Sequence, residues 1–290
     1  MTDPRGVVLG YDGSDFSMQA LDWAIDECEL RGLPLTLSHA WRWPYGEAPE
    51  EAKLHLRKAA EHVLGHGVEC ARSSSTITGI TADLYEGSPG ERLVELSAGA
   101  ELVVIGCRGL GALARSVVGS VTAYVAAHAS APVIVVRGPG PLPQPANPGP
   151  VVLGLGPATP GEALDFAFGE AAVRQSRLVA VYAVRLPAMS WGMPIPPLPD
   201  TDVFVQAGRE QVEERLAPWR DRHPGVPAEP RAVIGAAGEV LGEASAGATL
   251  VVVGADRTRH RHGRLGTVVR AMAEHASCPV AVVPTSRPRT

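Results

Sequence analysis

The sequence holds only two lysines, Lys53 and Lys58, among its 26 basic residues, so chemistry that needs a phosphate-loop lysine or a Schiff-base lysine has almost nowhere to reside. Its four cysteines (Cys28, Cys70, Cys107, Cys278) are far apart with no C-x-x-C pair. That argues against a zinc ribbon, a redox dithiol and a disulfide framework, and reduced thiols are expected. No apolar run approaches the roughly 18 residues that a spanning helix needs, and the opening MTDPRG lacks the organisation of a signal peptide. The expectation is a soluble cytoplasmic protein without membrane contact. Also missing are G-x4-G-K-[ST], a G-x-G-x-x-G directly after the first strand, and a G-x-S-x-G elbow. The commonest NTPase, dinucleotide and serine-hydrolase readings fall with them.

Charge is close to balanced. Basic residues number 11 against 17 acidic in residues 1–144, and 15 against 14 in the rest, for a net −5; neither half has the basic excess of a nucleic-acid binder. What is abundant is apolar residues, at 45%, and Gly plus Pro, at 58 of 290, against a usual Gly–Pro share of about 12%. These imply a chain with a substantial core and many short loops.

The sequence repeats itself. Residues 87–106 (GSPGERLVELSAGAELVVIG) return as residues 235–254 (GAAGEVLGEASAGATLVVVG), HASAPVIVV at 128–136 returns as HASCPVAVV at 275–283, and ALDWA at 20–24 as ALDFA at 163–167. Between the copies stands a stretch too rich in Pro and Gly for helix or ladder. The reading is a first domain over 1–138, a linker over 139–149 and a second domain over 150–290.

Within the first copy, β-branched runs at Val7–Tyr11, Leu33–Trp41, Thr76–Tyr85, Leu102–Ile105 and Val133–Val136 read as strands. They alternate with helical segments at Ser14–Arg31, Glu47–Gly65, Pro89–Ala98 and Val117–Ala129. Ser14 and Ser88 are N-cap candidates, with Pro89 in a first turn. Such alternation predicts an α/β fold, two tandem flavodoxin-like or Rossmann-like open parallel five-stranded sheets with helices on both faces. Ligands of such sheets sit in the crevice beyond the carboxyl ends of the strands, at the switch point, which directs attention to the residues just past Tyr11 and Ile105.

Asp12 stands at the end of the first of these strands, placed to accept from a ribose hydroxyl or to help hold a divalent cation. After the fourth come Gly106, Gly109, Gly119 and Ser120, spaced G-x2-G-x9-G-[ST], where backbone amides and a helix amino end can approach phosphate. Arg108 and Arg115 lie in the same loop, ready to neutralise phosphate charge.

This arrangement resembles the universal stress protein family, in its tandem form, over nearly the whole chain. The resemblance extends to the Pro-Val-x-Val-Val final strands at Pro132–Val136 and Pro279–Val283. It implies adenine-nucleotide binding, ATP with Mg or Mn, and a regulatory role in the stress response rather than a settled reaction. By it, Gly106, Gly109, Gly119 and Ser120 hold the phosphates, Val121 adds an amide, Ala40 offers backbone groups to adenine, and Asp12 is the family's first-strand Asp. It also implies that Val133–Val136 and Val280–Val283, otherwise bare sheet edges, pair to make an internal pseudo-dimer, with a further homodimer possible.

The second copy departs from the motif. Gly156 stands where Asp12 stands, and Arg257 replaces the second glycine, so a weakened or absent second site is expected, although Arg257, Arg259, Arg261 and Arg264 form a basic loop. No catalytic residue is assigned. The alternatives are a slow ATP-hydrolysing or phosphoryl- or adenylyl-transferring enzyme, for which Asp15 is the remaining nearby carboxylate, and a nucleotide-free interaction module with an unknown protein partner. Histidines at 55, 62, 66, 260 and 262 are read as surface residues, and His128 and His275 as helix-end residues. Cys107 is read as a buried thiol, and Arg185–Pro199 as an irregular insertion.

Overall fold

Each β-branched run becomes a strand and each helical-period segment a helix. The structure, a computed structural model, describes residues 6–43, 50–109, 118–137, 149–186, 200–255 and 265–285. The first half comprises β1 (Val7–Gly10), α1 (Asp15–Arg31), β2 (Leu35–Trp41), α2 (Glu50–Ser74), β3 (Ile80–Glu86), α3 (Pro89–Ser97), β4 (Leu102–Gly106), α4 (Ser120–His128) and β5 (Val133–Val136). The second comprises β6 (Val151–Gly154), α5 (Gly161–Val173), β7 (Leu178–Val184), α6 (Thr201–Arg222), β8 (Ala228–Ile234), α7 (Ala237–Ala244), β9 (Leu250–Ala255), α8 (Thr267–His275) and β10 (Val280–Pro284).

The expected caps are in place. Ser14 accepts from the Ser17 N–H and Ser88 from the Glu91 N–H, while Pro89 opens α3. Gly32, at φ 65°, closes α1 in the left-handed conformation that a glycine adopts without steric cost. One helix differs from its sequence reading. α2 runs to Ser74 and not to Gly65, because Gly67 does not break the helix but brings it close to the sheet: a Cβ there would meet the Tyr11 ring at 2.6 Å and Leu37 at 3.0 Å. The third strand correspondingly starts later, at Ile80.

The strands form one ten-stranded sheet, in the order β3-β2-β1-β4-β5-β10-β9-β6-β7-β8. Of the two orders anticipated, each half has the Rossmann-like 3-2-1-4-5 and not the flavodoxin-like 2-1-3-4-5. The switch point therefore lies between β1 and β4, and between β6 and β9. All pairings are parallel except the one joining the halves, where β5 and β10 run antiparallel with Val135 opposite Val280, Ile134 opposite Ala281 and Val133 opposite Val282. In the internal repeat Ile134 corresponds to Ala281, so this register is that of a pseudo-twofold axis. The anticipated contact between the final strands is thus present, and it removes both edges.

Near that axis α1 and α5 contribute equivalent residues, Glu27 with Arg31 and Glu170 with Arg174. Both carboxylates are 0% exposed. Arg31 donates to Glu27 at 3.0 Å and across to Glu170 at 2.5 Å; Arg174 donates to Glu170 at 3.0 Å and across to Glu27, with its guanidinium 4.4 Å from the Trp23 ring centroid. Burial, and behind it the charge of Glu27, pushes the Glu170 carboxyl upward, against the pull of Arg174 and Arg31. Each anion thus has two cations, one from each half. A second link across the halves is unsymmetrical. Arg137 donates to the carbonyls of Met272, Ala273 and Glu274 in the last turn of α8, where a helix end favours positive charge.

Beneath the crevice, Arg92 of α3 holds Asp83 of β3 through Nη2 at 2.6 Å and Nε at 3.0 Å, and Ser38 of β2 donates to the same carboxylate at 2.8 Å. Burial opposes the charge on Asp83, yet the hydrogen bonds from Arg92 and Ser38, with the charge of Arg92, hold its carboxyl below the usual range.

Glu170→Ala leaves two guanidiniums facing a carboxylate short, and a loss of about 3–5 kcal/mol in unfolding free energy is expected in equilibrium denaturation. Replacing all four residues together with Leu and Met is expected to leave it level or raise it by up to about 4 kcal/mol. For Asp83 the depressed carboxyl contributes stability that is complete above its unfolded value of about 4 and is lost as pH falls through the lower folded one. Acid titration of stability is therefore expected to be steeper for the wild type than for Asp83→Asn, with the wild type the more stable at neutral pH.

Candidate functional site

At the β1–β4 switch point lies a cavity of about 490 Å³ lined by Asp12, Ser38, His39, Ala40, Gly106, Arg108, Gly109, Gly119, Ser120 and Val121 among others. That volume is within the range of small-molecule sites. Every nucleotide-binding residue anticipated from the sequence therefore lines this cavity, except Arg115, which lies with the rest of residues 110–117 outside the described residues; Asp15, the carboxylate of the enzymatic alternative, is not among the lining residues.

The glycines differ in what they do. A Cβ on Gly106 would meet the Phe16 carbonyl oxygen at 2.7 Å, and one on Gly109 would meet Asp12 Oδ2 at 2.4 Å. These two positions admit no side chain while α1 and Asp12 stay where they are. Gly119 has room, its nearest neighbour lying 3.5 Å from an added Cβ. It serves as the N-cap of α4, and its own N–H goes to the Cys107 carbonyl at 3.0 Å. The first bond within α4 runs from the Ala123 N–H to Gly119, so the amides preceding it at Ser120, Val121 and Thr122 form the helix end that meets an anion. Thr122 ties that helix to the sheet through Oγ1 to the Gly106 carbonyl, 2.9 Å.

Asp12 is held from one side. Its Oδ1 accepts from the Ser14 N–H at 3.0 Å and from Ser14 Oγ at 2.6 Å, which fixes the carboxylate at the start of α1 with Oδ2 turned towards Gly109. Arg108 lies over the Phe16 ring at 5.7 Å. Among the described residues no group of three or more His, Cys, Asp or Glu is arranged to hold a metal ion.

Ala40 owes its position to strand lengths. β1 pairs with β2 only as far as Gly10 opposite Ser38, and the Tyr11 N–H donates to the Ser38 carbonyl at 2.9 Å. Backbone groups alternate in direction along a strand, and the Trp41 carbonyl faces β3, where it accepts from Gly87. The Ala40 N–H and C=O therefore face the space beyond the end of β1, a donor beside an acceptor at the crevice rim. Sequence reasoning did not single out Ser38, or His39 as more than Ala40's neighbour; His39 Nδ1 lies 2.8 Å from the Tyr11 carbonyl. Strand alternation in LTLSHAW was the available signal for the pair.

The equivalent loop in the second half is built differently. The Gly156 N–H donates to Thr159 Oγ1 at 2.8 Å, and Arg215 of α6 donates to the carbonyls of Gly156 and Thr159 at 2.5 and 2.6 Å. An arginine from within thus occupies a loop whose counterpart carries Asp12. Gly254 retains the close approach of Gly106, since a Cβ there would meet Pro160 Cδ at 2.3 Å. Arg257, Arg259, Arg261 and Arg264, with His260 and His262, lie outside the described residues, as does most of Arg185–Pro199. Cys107 is buried, and burial pushes its thiol up.

No helix among the described residues is long and apolar enough to cross a membrane. Compared with known proteins, the chain matches the family model for the universal stress protein family twice, over residues 5–137 and 149–284. It is 32% identical to a universal stress protein of Mycobacterium tuberculosis (strain ATCC 25618 / H37Rv) over 308 residues, covering 97% of this chain and 99% of that one. A universal stress protein of Mycolicibacterium smegmatis is 33% identical over 307 residues, with 98% and 97% covered. Among solved structures, a universal stress protein from Archaeoglobus fulgidus superposes with a TM-score of 0.69 at 15% identity, covering 97% of this chain and 96% of that one, which speaks to the fold. With both halves matched and relatives of the same tandem length, the chain belongs to the universal stress protein family.

Proposed function

We propose that this protein is a cytoplasmic regulatory protein of the stress response that binds an adenine nucleotide, ATP with Mg or Mn, in its first half. The observation that carries this reading is the crevice of about 490 Å³ at the β1–β4 switch point. Its walls exclude side chains at Gly106 and Gly109 and end on the amino end of α4. In this reading the triphosphate lies along Gly106–Gly109 and the first turn of α4, with Arg108 beside it. Asp12 faces the ribose or the nucleotide-borne cation. The Ala40 N–H and C=O meet the acceptor and donor on the edge of adenine. Occupancy rather than turnover is the function, since the described crevice offers Asp12 as its carboxylate and Ser14 already holds one of its oxygens. The second half, whose loop Arg215 fills, serves as the structural partner.

Titration calorimetry of ATP with magnesium into nucleotide-stripped protein is expected to give one nucleotide per chain, and Gly109→Arg is expected to abolish it. Two nucleotides per chain would overturn the assignment to the first half. No binding by the wild type would remove the nucleotide reading and leave an interaction module.

A further inference from the structure

Beside the crevice lies a second cavity that the nucleotide reading does not use. It holds about 500 Å³, against about 490 Å³ for the crevice itself. Ala40, Pro89, Ser120 and Val121 line both, so the two form one continuous groove, which runs from the end of β1 across the first turn of α4 to the start of α3. Each part alone is of small-molecule size.

The outer part is bounded by three side chains of different chemistry. Tyr124, on α4, is 40% exposed. Long side chains on a helix lean toward its amino end, so this ring stands over the first turn, at Ser120 and Val121. His128, one turn further on, stacks on it with ring centroids 4.3 Å apart, and donates from Nδ1 to the Tyr124 carbonyl at 2.8 Å. The face of the Tyr124 ring turned to the carboxyl end of α4 is thereby covered, and the face turned to the groove is open. Gly90 seats the ring, since a Cβ there would meet Tyr124 Cδ1 at 2.8 Å. The other two side chains are Arg42, exposed just past β2, and Glu91, exposed in the first turn of α3.

Resting on the nucleotide reading of the crevice, we propose that this outer cavity is a second nucleoside subsite, and that the ligand of the first half is a dinucleoside polyphosphate, two nucleosides joined through one phosphate chain. In that reading the phosphates end on the first turn of α4, and Ser120 and Val121 are where one cavity opens into the other. A group carried on the terminal phosphate therefore enters the outer cavity. There the second base stacks on the open face of Tyr124, Arg42 meets the phosphates nearest to it, and Glu91 accepts from the ribose hydroxyls. An aromatic face, a guanidinium and a carboxylate are the complement of a base, a phosphate and a diol.

The second half supplies the contrast. Its groove between α7 and α8, of about 640 Å³, keeps Arg185 and Glu239 at the repeated positions of Arg42 and Glu91, but Ala271 stands at that of Tyr124. The shared frame therefore makes the groove with or without the aromatic ring, and the ring is what fits the first groove to a flat ligand. The same comparison shows that alanine at this helical position is compatible with the fold.

The test uses the full chain, stripped of nucleotide, and titration calorimetry with diadenosine tetraphosphate and with ATP, both in the presence of magnesium. One tetraphosphate per chain is expected, bound about tenfold or more tighter than ATP. Tyr124→Ala is expected to cut that preference about fivefold or more while ATP affinity keeps its wild-type value, since Tyr124 does not line the crevice. Tyr124→Phe, which keeps the stacking face, is expected to retain the preference, and Arg42→Ala to reduce it several-fold. Thermal unfolding checks that each variant is folded. ATP binding with the tetraphosphate no tighter, a preference unchanged by Tyr124→Ala, or one tetraphosphate shared between two chains would overturn the proposal and leave the nucleotide reading in place. Binding of neither ligand by the wild type would overturn both.

Discussion

The antiparallel register of Val133–Val136 against Val280–Val283 is the constraint on which the rest of the molecule depends. Two parallel sheets of five strands would each end in a short apolar edge, and joining those edges satisfies both ladders at once. The register that achieves this also brings α1 and α5 together, with Glu27 and Glu170 carried to full burial. A buried carboxylate is tolerated only when paired, so Arg31 and Arg174 are consequences of the strand pairing rather than additions beside it. Desolvation of four charges offsets most of their mutual attraction, and what the quartet contributes is the placement of one half against the other.

Duplication with a shared frame frees the loops. Gly106 and Gly254 make the same close approach to the following helix, at Phe16 and Pro160 respectively, because the strand–helix packing beneath is common to both halves. Above it the halves part: Asp12 is held by Ser14, whereas Gly156 is held by Thr159 and Arg215. Loops at strand ends tolerate such change because few buried contacts depend on them.

The architecture was legible because its signals are local or repeated. Apolar runs bounded by glycine and proline marked the strands, Ser14 and Ser88 marked helix starts, and the internal repeat located the second half. The glycine spacing located the crevice. Where the reading failed, a side chain's neighbours lay far away in sequence. The second helix was ended at Gly65, and the reason that it continues through Gly67, the Tyr11 ring packed against that glycine, lies 56 positions earlier. Glu27 and Arg31 were not singled out, since only tertiary structure supplies Glu170 and Arg174. Ala40 depends on β1 ending before β2, a difference of strand length that periodicity does not report.

The charge quartet is self-complementary: Glu27 and Arg31 would meet the same pair from a second copy as readily as they meet Glu170 and Arg174. Such an isologous surface does not by itself distinguish a partner half within the chain from one in another chain. What distinguishes them is covalent connection, which keeps the two halves at an effective concentration on the order of millimolar, and Arg137, which has no symmetry mate because Pro284 stands at its repeated position. Joining the two halves in one chain in this way makes their contact independent of protein concentration, and it leaves the loops of each half to differ, as those around Asp12 and Gly156 do.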